Sequence, residues 1–464
     1  MTTMRVPVRG WPAPPRRGHR LGAASIAIAL AIAAGGAGRA AANGRFPSSV
    51  SVDFRPGDPD DIYLGTTFGF LVSRDDGAHV YWVCEKAVGY EGTFDPVYRV
   101  ASDGTIYAST YDGLRVSRDQ GCSFETATSS LPEGDPGRIA GVWIDGLDVG
   151  PTGEVWVATA EGGRSNDVYR STDGARTFTP AGLRSTVMWW KSVLVSPADS
   201  RRVYVAGYQV SQTGPMGEEI PPSVHLRRTD DGGGQWEELS VTGLQLGSSP
   251  LLLVVAVDPA RPEILYVRSV RAVPPEGDLL YRSDDGGRSW TAVLSTVDGI
   301  RGIVIRGSEV LVASRMGGMH RSTDDGLSFA PLPAAPQAAC LADRDGTLFA
   351  CGANWEPERF SLGRSADATT WQKVFRFIEL DGPLACPTGT VQHDVCEVEL
   401  WPTLRSQFGI PSDAGVDAGT EPPATPGGCC DASGAAGPPA VAALLAALAL
   451  RRPRRRRSSP PRLT

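Results

Sequence analysis

Five-residue apolar runs return along the chain every forty to sixty residues or so: IYLGT at 62, IYAST at 106, VWVAT at 155, VYVAG at 203, LYVRS at 265, VLVAS at 310 and LFACG at 348. A turn signal and another apolar run stand before each of them, as in LLLVVAVDPARPE before 265 and ACLADRDG before 348. No segment of helical period and useful length lies between them. Each repeat therefore reads as four short strands, and seven such repeats predict an all-β chain built as a radial array of small antiparallel sheets. The expected fold is a seven-bladed β-propeller of four-stranded antiparallel blades, lying between about residue 46 and residue 385 within a domain at 43–410.

A second register keeps step with the first. The pattern Ser/Thr-x-Asp-x-Gly-x-(Ser/Thr)-aromatic reads SRDQGCSF at 117, STDGARTF at 171, TDDGGGQW at 229, SDDGGRSW at 283 and STDDGLSF at 322. Degenerate copies stand at 73 (SRDDGAHV) and at 365 (SADATTW). Asp bonds nearby backbone N–H groups and Gly takes φ > 0, so the pattern suits a hairpin tip, with the aromatic free to pack under the sheet. Catalysis needs a carboxylate once or twice, not seven times. Asp75, Asp119, Asp173, Asp231, Asp285, Asp324 and Asp367 are accordingly read as structural. The pattern resembles the Asp-box of the BNR repeat family, whose known members are β-propellers.

Charge is unevenly placed. Residues 1–42 hold six Arg and no acid, residues 429–464 hold seven Arg and one Asp, and the body between them holds 32 basic and 51 acidic residues. An acidic body repels phosphate backbones, which argues against nucleic acid as a partner. In the first segment, five arginines precede an apolar run from Leu21 to Ala34, and AAA at 40–42 offers a small-residue cleavage site. That order reads as a secretory signal peptide.

At the other end a linker at 411–428, rich in Pro, Gly, Ala and Asp, leads to Cys429-Cys430, then AVAALLAALAL at 440–450, then RRPRRRR at 451–457. Eleven apolar residues fall short of the roughly 20 that span a bilayer. The order resembles the MYXO-CTERM sorting tag of myxobacterial surface proteins. The resemblance implies cleavage near Cys429, lipid modification there, and a place on the outer-membrane surface or outside the cell, with export and sorting machinery as transient partners.

The other six cysteines suit an oxidising compartment. Their positions suggest Cys84 with Cys122 as a staple between blades one and two, and Cys386 with Cys396 in a short loop. Cys340 and Cys351 face each other if Asp345-Gly346 makes a two-residue hairpin turn. No CxxC pair occurs and the histidines are scattered singly, so no metal or other cofactor is expected.

The chain lacks GxSxG, HExxH and GxxxxGK(S/T), and no catalytic residue is assigned. Sialidases share the propeller and the Asp-boxes, which makes a sialidase-like glycoside hydrolase the alternative. Such an enzyme would need an Arg-Ile-Pro motif, an arginine triad and a Tyr–Glu pair, and here the nearest motif is Arg45-Phe46-Pro47. In blades of this topology the loops between second and third strands share one face with the linkers between blades. Insertions at 208–224, 270–278 and 353–362 fall there, with Tyr111, Trp189, Trp190, Tyr208 and Trp355 in or beside that face. Those aromatics are the candidate contacts for a glycan or protein ligand. The sequence thus reads as an exported, surface-anchored binding or scaffold module.

Overall fold

The computed structural model describes residues 45–92, 94–246, 251–270 and 277–411. The segments read as signal peptide (1–42) and linker (beyond Pro411), and Cys429 and Cys430, read as sorting cysteines, lie outside the described residues.

Seven four-stranded antiparallel sheets follow one another without interruption, at 49–83, 98–126, 144–180, 188–239, 251–295, 300–332 and 341–375. In blade 1 the strands are Ser49–Phe54, Ile62–Thr66, Gly69–Ser73 and Tyr81–Val83, paired in chain order from the axis outward. The apolar five-residue runs are the second strands. Ile62–Thr66, Ile106–Thr110 and Val155–Thr159 are buried at every position, because neighbouring blades cover both faces. Blade 4 is the long one, with strands Met188–Ser196 and Asp199–Gln209, and its insertion forms a small extra hairpin of Gln212–Thr213 with Glu219–Ile220.

Each innermost strand presents an unpaired edge, and in blades 2, 4 and 5 a side chain of the preceding blade satisfies part of it. The Val100 amide donates to Asp53 at 2.9 Å, the Val195 amide to Asp148 at 2.8 Å and the Val254 amide to the Ser192 hydroxyl at 3.1 Å. Arg99 joins the first two acids by donating to Asp148 at 3.1 Å. Burial pushes the Asp53 carboxyl up to about 6 against the opposing pull of Arg99. Gly302 marks how closely inner strands approach, since a Cβ there would lie 2.6 Å from the Leu341 amide nitrogen.

Among the described residues each blade draws its four antiparallel strands from one continuous stretch of chain, so none of these is shared to close the ring. Blade 7 meets blade 1 through Phe349 on Phe54, with ring centres 4.9 Å apart, and through Arg344 and Arg364, which both bond Asp76. The chain then continues past blade 7 as a strap. Gly382–Pro383 adds a parallel fifth strand to the outer edge of blade 1, and the helical stretch Gln392–Leu400 runs into helix Trp401–Phe408.

Two disulfides pin this strap, and they correct the expected pairing. Cys84 bonds Cys396 and Cys122 bonds Cys386, with no bond between Cys84 and Cys122 or between Cys386 and Cys396. The expected staple between blades 1 and 2 is therefore indirect and runs through the C-terminal strap. Cys340–Cys351 forms as expected, across a turn in which Asp345 and Gly346 both take positive φ, 50° and 84°.

Candidate functional site

The two faces of the disc are built differently. On one face lie the turns between third and fourth strands, where the repeated aspartates sit. In blade 5 the Ser289 amide donates to Asp285 Oδ1 at 2.9 Å, the Ser289 hydroxyl to Oδ2 at 2.6 Å and the Ser283 hydroxyl to Oδ1 at 2.8 Å. The Gly287 amide donates to Ser283 Oγ at 2.8 Å and completes the turn. Asp119, Asp173 and Asp324 repeat the arrangement with Ser123, Thr177 and Ser328. Asp231 accepts the amides of Gly234 and Gln235, and Asp367 those of Thr369 and Thr370. In blade 1, His79 stands where the hydroxyl would be, its amide and ring both on Asp75.

These bonds occupy the carboxylates. Partial burial alone would raise Asp173 and Asp285, but the bonds from Thr177 and Ser289 outweigh it and hold both at about 2. The aromatic that ends the pattern packs backward onto the preceding blade and not under its own sheet. Trp236 donates from Nε1 to Ala181 O at 2.8 Å, and Trp290 to Ser240 O at 3.0 Å.

In blades 1 to 5 an arginine beside the turn adds a link forward. Arg118 reaches Gly174 O at 2.7 Å, Arg228 reaches Gly286 O at 2.8 Å and Arg282 reaches Asp325 O at 2.9 Å. The accepting residue follows the turn aspartate and has positive φ (72° for Gly174, 73° for Gly286, 62° for Asp325). That conformation turns its carbonyl outward. The aspartate face is therefore consumed by turn closure and blade-to-blade bonding.

Of the exposed large apolar groups, Leu327 stands in the blade 6 turn and Ile378, Val391 and Val398 on the strap, while the blades' others gather on the opposite face. Tyr111 (49% exposed), Met216, Val297, Met316 and Trp355 all stand on loops between second and third strands or on blade linkers. Across blades 2 to 4 they extend into a continuous aromatic row. Phe94 lies 4.4 Å from Tyr111 between ring centres, Tyr111 lies 4.8 Å from Trp143, Trp143 lies 6.1 Å from Trp189, and Trp189 lies 5.7 Å from Tyr208. Their planes are tilted or edge-on, the arrangement that ring quadrupoles favour. Lys191 lies 4.5 Å over the Trp143 ring and is ion-paired with Asp145. Burial lowers Lys191 to about 8. Glu161 accepts the Trp143 amide at 3.1 Å and fixes the end of that linker.

Of the aromatics singled out from sequence, Tyr111, Trp189 and Tyr208 are brought together in this row. Trp190 is not on that face: it points to the other side of the strand, is buried, and donates from Nε1 to Leu183 O at 3.1 Å. Trp355 stands apart on blade 7, edge-on to Phe46 at 6.4 Å. Phe94 and Trp143 were missed, although Trp143 carried a readable signal. It lies one residue before inner strand Ile144–Val149, much as Trp189 lies at the start of Met188–Ser196, so both aromatics enter at the same end of a blade.

The arginine in the nearest approach to the sialidase Arg-Ile-Pro motif is committed elsewhere. Arg45 bonds Asp95 at 2.6 Å and Thr67 O at 3.0 Å, and pairs with Glu85 at 3.6 Å, tying the start of blade 1 to the linker beyond it. Among the described residues no group of three His, Cys, Asp or Glu is placed to hold a metal ion.

No family model and no curated protein matches the chain. Among solved structures it is similar to a GH74 xyloglucanase from Xanthomonas campestris at 16% identity and TM-score 0.44, covering 69% of this chain and 60% of that one. It is also similar to an ancestral GH74 enzyme at 12% identity and TM-score 0.48, covering 70% of this chain and 46% of that one. A third likeness is to YCF48 bound to D1 peptide, at 13% identity and TM-score 0.41, covering 66% of this chain and 90% of that one. The chain thus spans only part of the length of both GH74 structures.

Proposed function

We propose that the protein is an exported, surface-held, non-catalytic binding module whose ligand is a glycan lying across the aromatic row of blades 2 to 4. The row itself carries this reading: five rings at successive separations of 4.4, 4.8, 6.1 and 5.7 Å, on the face left free by turn closure. Ring faces held in this way present apolar surface to the C–H faces of sugars at little conformational cost, with polar Tyr and Trp edges beside them. A sialidase-like hydrolase is disfavoured because Arg45, in the nearest approach to its motif, is engaged by Asp95, Thr67 and Glu85. Three disulfides among the described residues are in keeping with export.

A glycan array combined with fluorogenic glycosides tests the reading. Retention of a glycan without turnover is expected, together with loss of retention in Trp189→Ala. Hydrolysis that survives Trp189→Ala would overturn it. Surface attachment has a separate test. Mass spectrometry of the protein recovered from the cell surface should find a C-terminus near Cys429 and no peptide from 440–450, whereas an intact Arg457 would rule out the sorting tag.

A further inference from the structure

A cavity of about 550 Å³ opens on the rim between blades 3 and 4; Met188, Trp190 and Gln209 line it, while their neighbours Trp189 and Tyr208 belong to the aromatic row. Its volume lies within the range usual for small-molecule sites. The outermost strand of blade 3 is only Thr179–Pro180, so the sheet stops short and the linker at 181–187 forms one wall. Blade 4 forms the other, where Gln209, His225 and Arg227 share the face turned towards blade 3.

The wall is held in place before any ligand arrives. The Leu183 amide donates to Asp167 at 2.8 Å, Ser185 and Asn166 exchange backbone bonds, and the indoles of Trp190 and Trp236 donate to Leu183 O and Ala181 O. Little ordering is then left for binding to meet.

Charge in the cavity runs against that of the body. Arg184 and Arg227 both line it, and no Asp or Glu does. Glu238, beside it, is already engaged by His225 at 2.8 Å and by Arg227 at 2.9 Å. Arg227 Nε is buried without a hydrogen-bond partner, and Arg184 and the Gln209 amide form no side-chain bond among the described residues. Leu183, Val187, Met188 and the two indoles complete the lining with apolar surface.

We propose that this cavity binds a hexuronate residue of an acidic glycan. Its carboxylate lies on the Arg184 and Arg227 guanidinium groups, its hydroxyls lie on Gln209 and His225, and its C–H face lies against the apolar wall. Guanidinium donors suit a planar carboxylate because they offer paired N–H bonds. The mixed polar and apolar lining suits a sugar better than a bare inorganic anion. The assignment does not rest on the aromatic row.

The test is calorimetric titration of the protein with digalacturonate, with its dimethyl ester and with sulfate. Digalacturonate is expected to bind, and Arg184→Gln to weaken it by about tenfold or more, as loss of a charge-assisted bond implies. The melting temperature of that variant should not change, because Arg184 is exposed and makes no internal bond. Trp189→Ala should leave the affinity unchanged, which separates this site from the row. Equal binding of the ester, an unaltered affinity in Arg184→Gln, displacement by sulfate at equal concentration, or no binding to the unaltered protein would each overturn the proposal.

Discussion

Asp285 shows what each repeated aspartate does: two hydroxyls and two amides converge on one carboxylate at the tip of a hairpin. Replacing it by Ala removes the acceptor from all four donors, and a loss of about 1 to 2 kcal/mol in unfolding free energy is expected in chemical denaturation. Asp173→Ala should lose stability likewise. The acid profile follows from the same geometry. Asp173 and Asp285 sit at about 2 when folded and near 3.9 when unfolded. A depressed carboxylate contributes stability that is present above its unfolded value and lost as pH falls towards its folded one. Asp53 has the opposite sign. It is held up at about 6, so the unfolded chain releases its proton more readily and stability falls as pH rises from about 4 to 6. Denaturant midpoints measured from pH 2 to 7 should therefore climb to about pH 4. Asp53→Asn should flatten the decline above that point. The turn aspartates were legible from their spacing because the pattern needs only contiguous residues. The inner acids Asp53 and Asp148 were not, because the amides they serve, on Val100 and Val195, lie 47 residues further on, in the next blade.

At the scale of elements, the strap at 376–410 replaces a shared closing strand. Its parallel strand Gly382–Pro383 and its two disulfides fasten the last described segment to blades 1 and 2. The Cys122–Cys386 bridge lies inside the loop that Cys84–Cys396 closes, so while the outer bridge stands it constrains an effective loop of roughly 50 residues, for which the chain-entropy model gives about 4 kcal/mol. The double variant Cys122→Ser/Cys386→Ser should accordingly melt below the unaltered protein, and by more than Cys340→Ser/Cys351→Ser, whose bridge spans 11 residues and for which the same model gives about 3 kcal/mol. Similar losses in the two variants would mean that the strap does not hold the ring. The second strands and the Asp345-Gly346 hairpin were legible because apolar alternation and turn chemistry are local. The pairing of Cys84 with Cys396 was not, since it depends on ring closure bringing residues 312 apart into register.

At the scale of the whole molecule, the disc divides its work between two faces. Turn closure and the arginine links occupy one, and the exposed aromatics gather on the other. The sequence placed Tyr111, Trp189 and Tyr208 on one face through topology alone, and the structure sets them in one row. The sequence did not join them, because the links are Phe94 and Trp143 in blade linkers that carry no repeat signature. The same division yields the sharpest test of the account: glycan binding and thermal unfolding measured side by side on Tyr111→Ala and Asp285→Ala. Tyr111→Ala is expected to lose affinity, with only the modest fall in melting temperature that losing its contacts with Phe94 and Trp143 brings, while Asp285→Ala melts lower and binds as before. An Asp285→Ala protein that melts normally and no longer binds would place the ligand on the turn face and contradict the account.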